Sequence, residues 1–331
     1  MLVPKRILIT DYVWPNVDPE KRILNQINAD VIVAPDPSEK TLINLSKDVD
    51  GILTCFAKVT ENVIEAAKNC VVIGRYGVGT DNISVETATN LGVIVTYVPD
   101  YCTEEVSDHT IGLILSWNRK ITFHNKDTKE FGWGNAGLGM RIMRLSEKTL
   151  GVIGFGRIGR SVARKAKAFG MNVAVYSPSL QDDQAKENGV NKVSLETLLK
   201  TSHFVSLHTP LNEKTQGMIG EKEISLMRSD AVLINCARGG LIHEESLFNA
   251  LTKNYIAGAA LDVMEDLQPA IDNKIIQMEN TLITPHTAFF SQESVLELQE
   301  KAATSVVQVL QRKMPENVYN KSVLPHARMK I

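Results

Sequence analysis

Residues 150–160 read Leu-Gly-Val-Ile-Gly-Phe-Gly-Arg-Ile-Gly-Arg, a short apolar run followed at once by glycines spaced GxGxxG. Few folds accommodate this arrangement. Leu150–Ile153 suits a buried strand and Arg160–Phe169 a helix, so the glycines fall on the strand-to-helix turn. Gly154 allows the tight turn, Gly156 lets backbone approach a bound pyrophosphate, and Gly159 lets helix and strand pack closely. The backbone N–H groups and the dipole at the helix N-terminus attract phosphate. Such a turn requires a parallel sheet behind it.

The chain supplies two. Apolar runs at Arg6–Thr10, Val31–Ala34, Gly51–Thr54, Val71–Gly74 and Val93–Thr96 alternate with helix-like stretches. A second series begins at Thr149 and continues through Asn172–Tyr176, Phe204–His208, Ala231–Asn235, Ala257–Val263 and Thr281–Thr284. Continuous apolar strands alternating with helices predict parallel sheets covered on both faces. The expected fold is therefore α/β with two doubly wound domains. One is a flavodoxin-like domain of residues 1–102 plus 290–331; the other is a six-stranded Rossmann nucleotide-binding domain of residues 103–289. Between the two series lies a long helix from Glu104 to about Lys120, and residues 125–146, rich in glycine, read as a connecting loop. A last helix is expected at about Gln292–Gln311.

The 331 residues carry 36 Lys and Arg against 38 Asp and Glu, a net charge of −2 that offers no basic excess for nucleic acid. Apolar runs such as Ile111–Trp117 fall far short of the ~20 residues a membrane span needs. No signal peptide is recognisable at the N-terminus. Cys55, Cys70, Cys102 and Cys236 are scattered without metal-ligand spacing, which suits a reducing cytoplasm and argues against a metal site.

Three later segments place polar residues at strand ends, where open α/β sheets bind ligands. They are 235–240 (Asn-Cys-Ala-Arg-Gly-Gly), 260–263 (Ala-Leu-Asp-Val) and 284–288 (Thr-Pro-His-Thr-Ala). A guanidinium fork such as Arg238 suits a carboxylate, and a histidine such as His286 suits acid/base work near neutral pH. Taken singly, Arg238 reads equally well as a surface ion-pair residue and His286 as a satisfied loop histidine. At the end of the second strand, where an acid would accept from the ribose of NAD, stands Ser177. Serine removes the charge that repels a 2′-phosphate, yet no arginine follows closely to bind one. NAD is favoured slightly over NADP, and the choice stays open.

Together these segments resemble the D-isomer-specific 2-hydroxyacid dehydrogenase family along nearly the whole chain, closest to its C-terminal binding protein-like branch. Residues 75–82 (Arg-Tyr-Gly-Val-Gly-Thr-Asp-Asn) look like that family's substrate-carboxylate loop. The resemblance implies an NAD(P)-dependent oxidoreductase acting on a 2-oxo or D-2-hydroxy acid. By the same resemblance Arg238 binds the carboxylate and His286 is the acid/base, with Tyr76, Val78, Gly79 and Phe289 on the substrate. Thr209, Cys236, Ala237 and Asp262 join Gly154, Gly156, Arg157, Ile158, Gly159 and Ser177 around the cofactor. It also implies a homodimer through the long helix and the glycine-rich segment. One position departs from the pattern: the family places a histidine-partnering glutamate just before a proline, and here Leu267 or Gln268 stands there. That departure favours a second reading, a nucleotide-sensing binding protein with little turnover.

Overall fold

The computed structural model describes residues 4–133 and 140–331. The chain forms two compact units, one of residues up to Tyr101 together with Ser291–Ile331, the other Cys102–Phe290. In the first unit, β1 (Arg6–Ile9), β2 (Asp30–Val33), β3 (Gly51–Thr54), β4 (Val72–Arg75) and β5 (Ile94–Thr96) form a parallel sheet of order β2-β1-β3-β4-β5. That order is the flavodoxin-like one. Leu8, Ile52, Ile73 and Val95 pack on one face against Leu42, Ile64 and Ala88 from the crossover helices. Helix Gln292–Leu310 packs on β3 and β4. Its start is closed by a reciprocal pair, the Ser294 N–H donating to Ser291 Oγ at 2.9 Å and the Ser291 N–H to Ser294 Oγ at 2.8 Å.

Among the described residues the second unit contains seven strands: β6 (Thr149–Ile153), β7 (Asn172–Tyr176), β8 (Asn191–Lys192), β9 (Phe204–Leu207), β10 (Val232–Asn235), β11 (Gly258–Leu261) and β12 (Thr281–Ile283). All pair in parallel in the order β12-β11-β10-β9-β6-β7-β8. The chain reverses its direction of travel between β6 and β9, which puts the switch point beside the glycine turn. Val205, Leu207, Leu233 and Ala259 are buried there with Leu198, Leu247 and Leu251 from the flanking helices. Burial on both faces explains why these strands read as continuous apolar runs rather than alternating ones.

Two expectations are corrected. The sheet has seven strands rather than six, because β8 is two exposed residues with no apolar signature. The segment expected as loop from residue 125 begins inside a helix, Ile121–Phe131, entered through Lys120 in the left-handed region at φ 54°. That helix buries no residue, and of its side chains only Ile121, Phe123 and Phe131 are apolar. Of the glycine-rich stretch, residues 134–139 lie outside the described residues. Among the described residues no helix is long and apolar enough to cross a membrane.

Candidate active site

The glycine turn separates three mechanical roles. Gly154 sits at φ 94°, and a Cβ there would lie 2.5 Å from the His208 carbonyl oxygen and 2.8 Å from the Thr209 nitrogen. Gly159 is buried with its Cα against the Gly154 carbonyl, where a Cβ has no room. Gly156 is the opposite case: a Cβ there would meet nothing within 4 Å. It precedes helix Arg157–Ala168, whose start no described side chain caps. An open backbone surface before an uncapped helix N-terminus fits a dinucleotide pyrophosphate. Arg157 is exposed beside it and Ile158 half-buried. At the end of β7, Ser177 is buried with its hydroxyl 3.2 Å from that of Ser179.

His208, which abuts Gly154, is held neutral. Burial pushes its imidazole from the usual 6.5 down to about 4, while Nε2 lies 2.8 Å from Ser206 Oγ. The unfolded chain therefore binds the proton more readily than the folded one. The stability involved is complete above about pH 6.5 and is lost progressively toward pH 4, at most about 3 kcal/mol. The urea midpoint of the protein is expected to fall across that window, and His208→Gln is expected to flatten the fall.

The ends of three adjacent strands carry the reactive groups. After β10, the buried Asn235 amide donates to the Arg238 carbonyl at 2.8 Å and accepts from the Ala237 N–H at 3.0 Å. The Arg238 guanidinium donates to the Ala237 carbonyl at 2.8 Å. Gly239 brings this loop so close to the one after β11 that a Cβ would run into the Met264 carbonyl. Cys236 is buried, and burial drives its thiol up to about 12, so it is no nucleophile. After β12 comes His286 at φ 54°, half-buried, its ring edge-on to Phe289 with centroids 6.1 Å apart.

Asp262 underlies that histidine. Its Oδ1 accepts from Thr284 Oγ1 at 2.6 Å and from the Thr287 N–H at 2.9 Å, and its Oδ2 accepts from the Ala288 N–H at 2.9 Å. Only 2 % exposed, it supports the 284–288 turn from within. Glu265 and Asp266 are exposed, and the Asp266 carboxylate accepts from the Gln268 N–H in its own loop at 3.0 Å.

In the first unit, Asp11 gathers the loop after β3, accepting the N–H groups of Cys55, Phe56 and Ala57 at 3.0, 2.7 and 3.1 Å. The Asn82 amide donates to the carbonyls of Cys55 and Ala57, tying the loop after β4 to the same place. Val78 and Gly79 lie there near the surface, and their N–H groups meet no acceptor among the described residues. Tyr76 is 1 % exposed, edge-on to Trp14 at 4.9 Å, its hydroxyl beside the buried Glu20.

The switch-point turn and strand order define a class of α/β proteins that hold dinucleotides at the carboxyl ends of their strands. Residues 111–288 match the family model described as D-isomer specific 2-hydroxyacid dehydrogenase, NAD binding domain. A D-3-phosphoglycerate dehydrogenase of Methanocaldococcus jannaschii is 38 % identical over 98 % of this chain, which spans 61 % of that relative's length. A glyoxylate reductase of Korarchaeum cryptofilum is 36 % identical over 87 % of this chain and 88 % of its own length. The solved D-lactate dehydrogenase of Aquifex aeolicus, complexed with NAD and lactic acid, superposes with a TM-score of 0.86. It is 28 % identical, over 95 % of this chain and 99 % of that one. The chain belongs to the D-isomer specific 2-hydroxyacid dehydrogenase family. These relatives bear enzyme names, and they do not single out the C-terminal binding protein branch.

Proposed function

We propose that the protein interconverts a 2-oxo acid and the corresponding D-2-hydroxy acid by hydride transfer. The observation that carries this is the arrangement at β10, β11 and β12, where Arg238 and His286 end strands on either side of Asp262. Bound reduced nicotinamide supplies the hydride for the keto carbon. Arg238 holds the carboxylate as a fork and polarises the keto oxygen, and His286 donates the proton that oxygen takes up. The Val78 and Gly79 N–H groups suit a carboxylate oxygen, and Phe289 borders the substrate side chain. The turn at Gly154, Gly156, Arg157, Ile158 and Gly159 holds the pyrophosphate, with Ser177, Thr209, Cys236 and Ala237 near the rest of the cofactor. The binding-protein alternative is not favoured, since the relatives carry enzyme names.

The test is oxidation of NADH and NADPH in the presence of glyoxylate, pyruvate, hydroxypyruvate and its phosphate. Turnover of one of them is expected; cofactor binding without turnover of any would overturn the reading. We further infer a cytoplasmic homodimer. Phe131 and Trp133, 75 % and 97 % exposed after the long helix, support a contact surface there.

With serine rather than an acid at the ribose position, discrimination between the two cofactors is expected to be modest. Ser177→Asp is expected to move the Kd ratio toward NAD, because a carboxylate accepts from the ribose and repels a 2′-phosphate. Titrating both cofactors into both proteins checks it, and an unchanged ratio removes Ser177 from the ribose.

A further inference from the structure

The helix Thr103–Arg119 contributes a side chain to the turn that carries His286. His109 Nε2 lies 2.9 Å from Thr284 Oγ1 and 3.6 Å from Asp262 Oδ1. Thr284 Oγ1 in turn lies 2.6 Å from the same Asp262 oxygen. The inventory of donors fixes the direction of this chain. Thr284 Oγ1 donates its single hydroxyl proton to Asp262 Oδ1. His109 must then donate to Thr284, which assigns the imidazole proton to Nε2. The relay runs His109 to Thr284 to Asp262, across 175 residues of sequence in its first step.

Beyond Asp262 the relay reaches the backbone on both sides of His286. The Thr287 and Ala288 N–H groups donate to its carboxylate, and the His286 N–H donates to its carbonyl at 2.8 Å. His286 occupies the left-handed region, where an L-residue other than glycine persists only if its surroundings hold it. A hydrogen-bonded chain polarises its members, so fixing the first donor strengthens the donation of the Thr284 hydroxyl to Asp262.

We infer that His109 is a positioning residue for His286, holding Thr284 in the rotamer that donates to Asp262 and thereby fixing the 284–288 turn. The inference rests on the reading of His286 as the acid/base. It explains why a polar ring stands at a half-buried helix position just before the buried Thr110 and Ile111.

Two variants test it. His109→Leu removes the donor, whereas His109→Gln offers an amide N–H at similar reach. In His109→Leu, the reductive kcat is expected to fall about tenfold or more, with KM for NADH within about twofold of wild type. Amide exchange in a peptide covering residues 284–290 is expected to accelerate about tenfold. His109→Gln is expected to recover both to within about threefold. Unchanged kcat and exchange in His109→Leu overturns the inference. So does a fall in melting temperature and a rise in KM for NADH that both variants share, which marks a merely structural residue. Should wild type turn over no 2-oxo acid, the functional reading fails separately and the exchange measurement decides alone. Acceleration in Leu with recovery in Gln then supports the relay, and no change overturns it.

Discussion

Arg238→Ala is expected to lower kcat/KM on the best 2-oxo acid by about 30- to 5,000-fold, the equivalent of about 2–5 kcal/mol of transition-state binding. The loss is large because the guanidinium is built in place. Asn235, buried at the end of β10, braces the loop from both sides, and the guanidinium itself is oriented by the Ala237 carbonyl at 2.8 Å. A carboxylate held bidentately by such a group gains geometry as well as charge. Arg238→Lys is expected to recover only part of the activity, since one ammonium cannot serve both the Ala237 carbonyl and a two-oxygen substrate. Both variants are expected to melt within a few degrees of wild type, the brace at Asn235 being backbone-directed. Near-normal kcat/KM in Arg238→Ala would remove this residue from carboxylate binding.

What the sequence disclosed about this site, and what it hid, follow from the range of the forces involved. Strands such as Leu150–Ile153 and Val232–Asn235 are legible because burial on both faces demands unbroken apolar runs. The glycine turn is legible because backbone conformation and close approach act within six residues. Helix Ile121–Phe131 was hidden because only Ile121, Phe123 and Phe131 among its side chains are apolar. The packing of Tyr76 was hidden because its partners are remote. Trp14 and Glu20 come from the first loop and helix, and Gln299, which donates to Glu20 at 2.8 Å, from the last helix. Asp262 was legible as a strand-end acid but not as the support of His286, since the groups it accepts lie 22 to 26 residues away. His109 gave no signal, being a polar residue on a helix face whose acceptor appears only when β12 is in place.

The glycines of the turn are expected to fail in two different ways, and the contrast tests the nucleotide site most sharply. Gly154→Ala forces a side chain into φ 94° and against the backbone of His208 and Thr209. Neither peptide can yield without moving β9, so a loss of about 2–4 kcal/mol is expected. That corresponds to a fall of roughly 5–15 °C in melting temperature for a unit of this size. Gly159→Ala is expected to behave alike, its Cβ meeting the Gly154 carbonyl. Gly156 has an ordinary φ of −77° and open space where the methyl would go. Gly156→Ala is therefore expected to keep its stability within about 0.5 kcal/mol. Its affinity for NADH is nonetheless expected to fall at least about tenfold, because the methyl occupies the surface that the pyrophosphate must approach. Thermal melts beside fluorescence titrations of NADH separate the two effects. Gly156→Ala binding NADH as tightly as wild type would show that the pyrophosphate does not lie over this residue, whereas a destabilised Gly156→Ala would show that the open face is filled by the chain itself.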